Sequence, residues 1–229
     1  KNFPAQFIAE GLDQTRGWFY TLTVLSTALF QKPAFQNVIV NGLILAADGA
    51  KMSKRLKNYP DPMDVVKQYG ADAVRLYMLH SPAVRAEDLA FSKQGVEGVL
   101  RQILLPLWNA PLHLMTYARI YSWHPPEDIL QEGHRIAKQP IDRWILSLLH
   151  QLISHVEQGM EEYELAKAVE PLVVFVDQLT NWYIRRSRRR FWSEENTTDR
   201  TEAFSTLYVC LMRFVSLAAP FVPFMSESI

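Results

Sequence analysis

At 229 residues and 48% hydrophobic content, the chain can bury a real core as one large domain or two smaller ones, which excludes disorder as the default. Lys plus Arg and Asp plus Glu balance at 24 each, so no global positive field draws in nucleic acid, and any such binding must come from local clusters. The single cysteine, Cys210, excludes an internal disulfide and a cysteine-built metal site; inside its apolar run it reads as a buried core thiol suited to a reducing compartment.

The chain opens on Lys1-Asn2-Phe3-Pro4 with no apolar leader, and its longest uncharged apolar stretch, Gly17 to Phe30, is too short to span a bilayer. It starts without Met and closes on "PFMSES" and Ile229, and so reads as a piece cut from a longer protein.

In chain order, "QFIAEG" (Gln6 to Gly11) predicts a buried parallel strand and Gln14 to Phe30 a helix. "NVIVNGLILAADG" predicts a second β segment bent at Gly42. A loop with Lys51, Lys54, Arg55 and Lys57 comes next, then Asp61-Pro62 as a helix start, a helix ending at Gly70 and another from Ala71 to His80. This is the grammar of half an open α/β sheet. From about Glu87 the β signal disappears. Helical spacing runs on with breaks or kinks expected at Pro106 and Pro111, and Ser122 to Pro140 is the linker candidate. Beyond it lie three amphipathic segments, Ile141 to Tyr163, Leu165 to Arg190 and Thr201 to Leu217, whose short connections predict an antiparallel helical bundle. The expected division is 1–85, 86–138 and 139–229.

Two cationic clusters and a pair of carboxylates carry chemistry. Glu10 and Asp13 stand at a strand's carboxyl end, where open α/β sheets bind ligands, and could accept hydrogen bonds from sugar hydroxyls or an ammonium group. Gly11 would let a ligand approach the backbone. Asp13 as a helix cap and Glu10 as a solvated neighbour remain the alternative, as does a core position for Trp18, one turn beyond Gln14. The cationic loop can be a wet surface or can hold a triphosphate, its lysines following charge as it moves onto a leaving pyrophosphate.

The second cluster, Arg185, Arg186, Arg188, Arg189 and Arg190, lies in a segment, 142–229, with nine Lys and Arg against twelve Asp and Glu. Trp182, Tyr183 and Trp192 interleave aromatic surface, as in RNA-binding patches. A helix end charged to suit its dipole, or a signal read by another protein, is the other reading. Helical spacing groups 185, 188 and 189 on one face and 186 and 190 on another.

"KMSKR" (Lys51 to Arg55) resembles the KMSKS loop of class I aminoacyl-tRNA synthetases, with Arg55 for the final serine. "EGLDQTRGWF" resembles the adenylate-pocket segment of the isoleucyl branch of that family, and "TNWYIRRSRRRFW" its anticodon-binding helix. The resemblance implies the C-terminal half of a Rossmann-like nucleotide-binding sheet, α/β, followed by an all-α anticodon-binding domain. It implies ATP-dependent activation of isoleucine and transfer to tRNA(Ile). Lys51 and Lys54 would hold the ATP phosphates, with Met52, Ser53 and Arg55 beside them and the backbone from Gly42 to Leu45 against adenine. Glu10, Gly11 and Asp13 would bind the ribose and the amino group, Gln14 the aminoacyl end, and Trp18 would wall the isoleucine pocket. Asn181, Trp182 and the five arginines would meet tRNA. Mg²⁺ accompanies ATP as substrate, no metal is held by this chain, and zinc belongs to a missing C-terminal region. The family also implies a cytoplasmic monomer with no membrane partner.

The family's His-x-Gly-His motif is absent: histidines 80, 113, 124, 134, 150 and 155 form no such pattern. The chain alone is therefore expected to be inactive. A tRNA-binding module without catalysis is the competing reading; a valyl- or leucyl-type enzyme is a third, against which "DQTRGW" speaks.

Overall fold

In a computed structural model of the chain, residues 3–53, 55, 58–131, 137–194 and 197–229 are described. Strands β1 (Ala5–Gly11) and β2 (Phe35–Asn41) pair in parallel, from Ala5 opposite Phe35 to Gly11 opposite Asn41, joined by helix α1 (Trp18–Phe30). Both strands therefore end on one edge of the sheet. The helix expected from Gln14 is split: Leu12–Arg16 is a 3₁₀ turn, and α1 begins only after the non-helical backbone of Gly17.

The second β segment is likewise divided, because Ile44–Leu45 leaves the first sheet. It forms β3, paired in parallel with β4 (Leu89–Ala90). The expectation that β structure ends near Glu87 is thus corrected by a strand too short to carry a period. Gly42 is the joint between β2 and β3. Its N–H donates to the Ala83 carbonyl at 2.8 Å, and a Cβ there would collide with the Glu87 backbone, so only glycine lets 82–88 close over it.

Beyond the loop, Asp61 caps α2 (Pro62–Tyr69): its Oδ1 accepts the Met63 N–H at 2.7 Å. Gly70, at φ 88°, turns the chain into α3 (Ala71–Leu79). Neither Pro106 nor Pro111 breaks the next stretch. From Lys93 to Ile120 the chain is helical throughout, as α4 (Lys93–Val99), a π-helical turn (Leu100–Leu104) and α5 (Leu105–Ile120). Pro106 falls just past the seam where the bonding pattern changes, and Pro111 lies within α5. The candidate linker is largely exposed over its described part but anchored at points: Ile129 is buried, and Arg213 donates to the Leu130 carbonyl at 2.7 Å.

The remaining helices are α6 (Pro140–Glu161), α7 (Leu165–Asp177), a π-helical segment (Gln178–Ile184), α8 (Arg185–Trp192), α9 (Thr197–Ala218) and α10 (Pro223–Ser228). Aliphatic side chains at helical spacing, such as Ile145, Leu149, Leu152 and Val156, face Val169, Leu172 and Val176. Cys210 is free and wholly buried, and burial, then the charge of Asp142, pushes its thiol well above the usual range. The buried cluster continues without a break from Val65 and Leu76 to Phe221 and Val222. Polar contacts reinforce that joint. Arg75 donates to the carbonyls of Pro220 (2.8 Å) and Phe221 (3.3 Å), and Asp72 accepts the Met225 N–H at 2.6 Å.

The β1–α1–β2 unit is different. It buries only Phe19 and Ser26, while Phe7, Trp18, Tyr20, Leu29, Phe30 and Val38 are each at least 47% exposed. Among the described residues no helix is long and apolar enough to cross a membrane.

Candidate functional site

At the end of β1, Glu10 is exposed opposite Val40. A Cβ on Gly11 would stand 2.8 Å from Asp13 Oδ1, so the glycine makes room for Asp13 to fold back over the strand end. Gln14, not Asp13, caps α1, which corrects the capping alternative for Asp13. Gln14 Oε1 accepts the Trp18 N–H at 2.9 Å, and its Nε2 donates to Asp13 Oδ2 at 3.1 Å. Both ends of the Gln14 amide are thereby used within the chain. The groups left facing solvent are the Glu10 and Asp13 carboxylates and the indole of Trp18, which is 51% exposed and so not a core residue.

The cationic loop leaves β3 at once. Gly49, at φ 78°, closes a turn in which the Ala46 N–H donates to the Ala50 carbonyl at 2.9 Å, and Lys51 forms a bridge with Leu45. Asn58 laces the loop from inside. Its Oδ1 accepts the Ser53 N–H at 2.9 Å, and its Nδ2 donates to the Lys51 carbonyl at 3.1 Å. Met52 turns inward onto a cavity of about 210 Å³ shared with Ile44, Tyr59, Val65, Met78 and Phe91. Lys51 and Arg55 are exposed; Lys54 and Lys57 lie outside the described residues. With Met52 anchored and Asn58 clamping, the loop leaves Lys51 and Arg55 exposed beyond a strand that begins three residues after β2 ends. The need for glycine at Gly42 comes from Glu87, whereas Leu45 is held by pairing with Ala90 and Lys51.

On α8 the side chains sort by depth. Tyr183, Ser187 and Phe191, four residues apart, face the core, where Phe191 packs on His113 (ring centroids 4.7 Å) and Phe204 (5.4 Å). Arg185 and Arg189 face solvent between Trp182 and Trp192, which are 46% and 45% exposed. Arg186 lies over the Trp182 ring, 4.5 Å from its centroid. Arg188 is exposed, and its charge, added to burial as the larger cause, holds the His113 imidazole below its usual value. Asn181 is exposed and donates to Asp177 at 2.6 Å.

Arg190 departs from the patch. Its guanidinium grips both oxygens of the fully buried Asp142 at 2.7 Å, with Nε on Asp199 Oδ1 at 3.0 Å, and its side chain is 14% exposed. The expectation that Arg190 meets tRNA, sharing a face with Arg186, is corrected: it is an inward ion-pair partner. Spacing could not reveal this, because the partner lies 48 residues upstream. The expectation that Tyr183 adds to the aromatic surface beside Trp182 and Trp192 is corrected, since it is wholly buried with its hydroxyl on Asp142, and Asn58 and Asp142 are the residues that sequence reasoning missed. Asn58 carried a signal, an amide within a polar loop; Asp142, read as one acid among twelve, carried none. A groove of about 660 Å³ between α6 and α7, passing His155 and Lys167, was likewise not legible. Among the described residues no group of three or more His, Cys, Asp or Glu is placed to hold a metal ion.

The described residues thus carry two carboxylates at the end of a parallel strand, a loop with exposed Lys51 and Arg55, and a helix whose Arg185, Arg186, Arg188 and Arg189 are exposed. The family model of class I tRNA synthetases (I, L, M and V) matches residues 1–90, and that of the anticodon-binding domain of tRNA ligase matches 142–229; the chain belongs to the class I tRNA synthetases. Within that class it is similar to isoleucine–tRNA ligases. It is 67% identical to that of Protochlamydia amoebophila over all of this chain and 22% of that protein, and 59% identical to that of Chlamydia pneumoniae over 99% and 21%. The chain thus spans about a fifth of the length of these relatives. The fold is also that of methionyl-tRNA synthetase from Mycobacterium tuberculosis in complex with methionyl-adenylate (TM-score 0.75, 21% identity, 99% of this chain and 43% of that one). It is shared by a LeuRS from Agrobacterium radiobacter K84 in a ternary complex with tRNA and LeuAMS (0.69, 21%, 98% and 27%).

Proposed function

We propose that the chain is the loop-bearing half of the catalytic domain and the anticodon-binding domain of an isoleucine–tRNA ligase. In the activation step, a carboxylate oxygen of isoleucine attacks the α-phosphorus of ATP, the bond to the β-phosphate breaks, and pyrophosphate leaves. Lys51 and Lys54 neutralise the charge that gathers on that leaving group, with Met52, Ser53 and Arg55 setting the loop beside it. A ribose hydroxyl of tRNA then attacks the aminoacyl carbonyl and releases AMP. Glu10 and Asp13 accept from the ribose and the ammonium group, Gly11 gives access, and Trp18 walls the side-chain pocket. Gln14 serves by fixing Asp13 and Trp18. The backbone from Gly42 to Leu45 lies against adenine. Mg²⁺ enters with ATP.

Residues 1–85 act as the catalytic part, 86–138 as a helical connection, and 139–229 as an antiparallel bundle that meets tRNA through Trp182, Asn181 and the arginines of α8 other than Arg190. The protein acts as a cytoplasmic monomer, with zinc confined to a region outside this chain. The observation that carries the reading is the cationic loop opening directly from β3, which begins three residues after β2, the strand paired in parallel with the one that ends at Glu10 and Gly11. The exposed apolar surface of β1, α1 and β2 supports it, since parallel sheets are covered on both faces and the relatives are several times longer.

The test is amino-acid-dependent ATP–pyrophosphate exchange by the full-length protein. Exchange should be fastest in kcat/KM with isoleucine and absent from the isolated chain. A preference for valine or leucine would overturn the assignment, and exchange by the isolated chain would overturn the division of labour.

A further inference from the structure

We infer that Asp142 and Arg190 are positioning residues for RNA binding: a buried ion pair that fixes the rotation of α8 and so decides which of its arginines face outward. The inference rests on the reading of α8 as an RNA-binding helix. Two segments bring donors to one carboxylate, and a further helix joins through Arg190. Asp142, in the first turn of α6, takes Arg190 Nη1 on Oδ1 and Nη2 on Oδ2, both at 2.7 Å, while the Tyr183 hydroxyl donates to Oδ1 at 2.8 Å. Arg190 reaches Asp199, in the first turn of α9, through Nε at 3.0 Å and through Nη2 to the backbone carbonyl at 3.3 Å. All three guanidinium nitrogens are engaged within the fold. Tyr183 and Arg190, seven residues apart, lie about two turns from one another on the same helical face, and both side chains are long enough to meet at the carboxylate between them.

Stability does not account for this arrangement. Well-packed apolar residues of the same volume often serve folding as well as a buried ion pair or better, and in some proteins what such a pair contributes is the selection of one geometry, the role inferred for Asp142 and Arg190. Apolar packing by itself specifies the rotation of α8 weakly: in its eight residues, Phe191 is the one large side chain that is fully buried. A planar fork is satisfied only when both carboxylate oxygens lie in its plane, which fixes the helix about its axis. With Arg190 pinned inward, Arg185 and Arg189 point straight out and Arg186 stacks on Trp182. The π-helical segment just upstream sets the phase of α8 relative to α7, and Tyr183, inside it, ties that phase to the same carboxylate.

The distinguishing experiment uses the sign of a charge change in the full-length protein with isoleucine-accepting tRNA. Asp142→Asn removes a negative charge beside an RNA-binding helix and frees Arg190. If Arg190 were itself a phosphate contact, this variant should bind tRNA as well or better. Positioning gives the opposite result: binding weaker by about ten-fold, the loss of one charge-assisted contact, with kcat for isoleucine-dependent exchange within about two-fold of the parent. Should Asp142→Asn fail to fold, the double variant Asp142→Leu with Arg190→Met carries the test, since it leaves no stranded buried charge; the same weakening of tRNA binding is expected.

Unchanged or tighter binding by the variants that fold overturns the inference, as does an Arg190→Met variant whose only effect is a salt slope lower by the roughly 0.7–0.9 of one lost phosphate contact. Arg185→Gln with Arg189→Gln is the control for the parent reading. If that variant keeps its tRNA affinity and salt slope, α8 does not bind RNA, and the inference falls with that reading for a visibly different reason.

Discussion

Replacing Asn58 by alanine should slow amino-acid activation without weakening the fold. The side chain ties the Ser53 N–H to the Lys51 carbonyl across the loop, at 2.9 and 3.1 Å, and alanine removes both hydrogen bonds at once. Each such bond contributes about 0.5–1.5 kcal/mol net, so the loop loses about 1–3 kcal/mol of preference for this conformation. If that conformation is the one that presents Lys51 and Lys54 to the phosphates, the loss appears as roughly a 5- to 150-fold fall in kcat/KM for ATP, read by pyrophosphate exchange in the full-length protein. Asn58→Asp keeps an acceptor for the Ser53 N–H and loses the donor to Lys51, so it should fall between parent and alanine. The melting temperature should barely change, because both hydrogen bonds lie within the loop. An unchanged kcat/KM, or a loss of activity matched by a loss of thermal stability, would refute the clamp.

Three further outcomes test the packing. Gly42→Ala should destabilise the chain by about 3 kcal/mol in urea unfolding, since the added carbon meets the backbone of Glu87, whereas Gly98→Ala, with open space around it, should stabilise by up to ~1 kcal/mol. His113 is held below its usual value, so it favours the fold in its neutral form. Stability is complete above about pH 6.5 and is lost as pH falls through the lowered value, by at most about 1.4 kcal/mol per pH unit, and His113→Phe should flatten that dependence because the buried Nε2 has no partner to lose. Cys210 should resist a disulfide reagent in the folded chain and react only as fast as the chain opens; prompt reaction under native conditions would contradict its burial.

Local chemistry was legible wherever its cause is local. Asp61 and Pro62 announced a helix start because a capping carboxylate and a donor-free first turn need only neighbours in sequence. The parallel strands β1 and β2 were equally visible in their apolar runs, but the burial expected of β1 was not met, since most of its residues are exposed. The features that escaped depend on distant partners or on shifts of phase. Arg190 looks like its neighbours in sequence and differs only because Asp142 and Asp199 wait on other helices. The π-helical segments at Leu100–Leu104 and Gln178–Ile184 leave no period of their own, so Pro106 read as a break where it sits at a seam. Gln14 took the capping role expected of Asp13 because its longer side chain reaches the Trp18 N–H past Gly17.

The cationic loop is the centre of the account, and its lysines give the most direct test. In the full-length protein, isoleucine-dependent ATP–pyrophosphate exchange should be measured for Lys51→Ala and Lys54→Ala as a function of both substrates. Loss of a donor that acts on the leaving pyrophosphate predicts a fall in kcat of roughly 2–4 kcal/mol in activation free energy, with the KM for isoleucine nearly unchanged. Parental kcat in both variants would contradict the assignment and leave the loop a solvated surface.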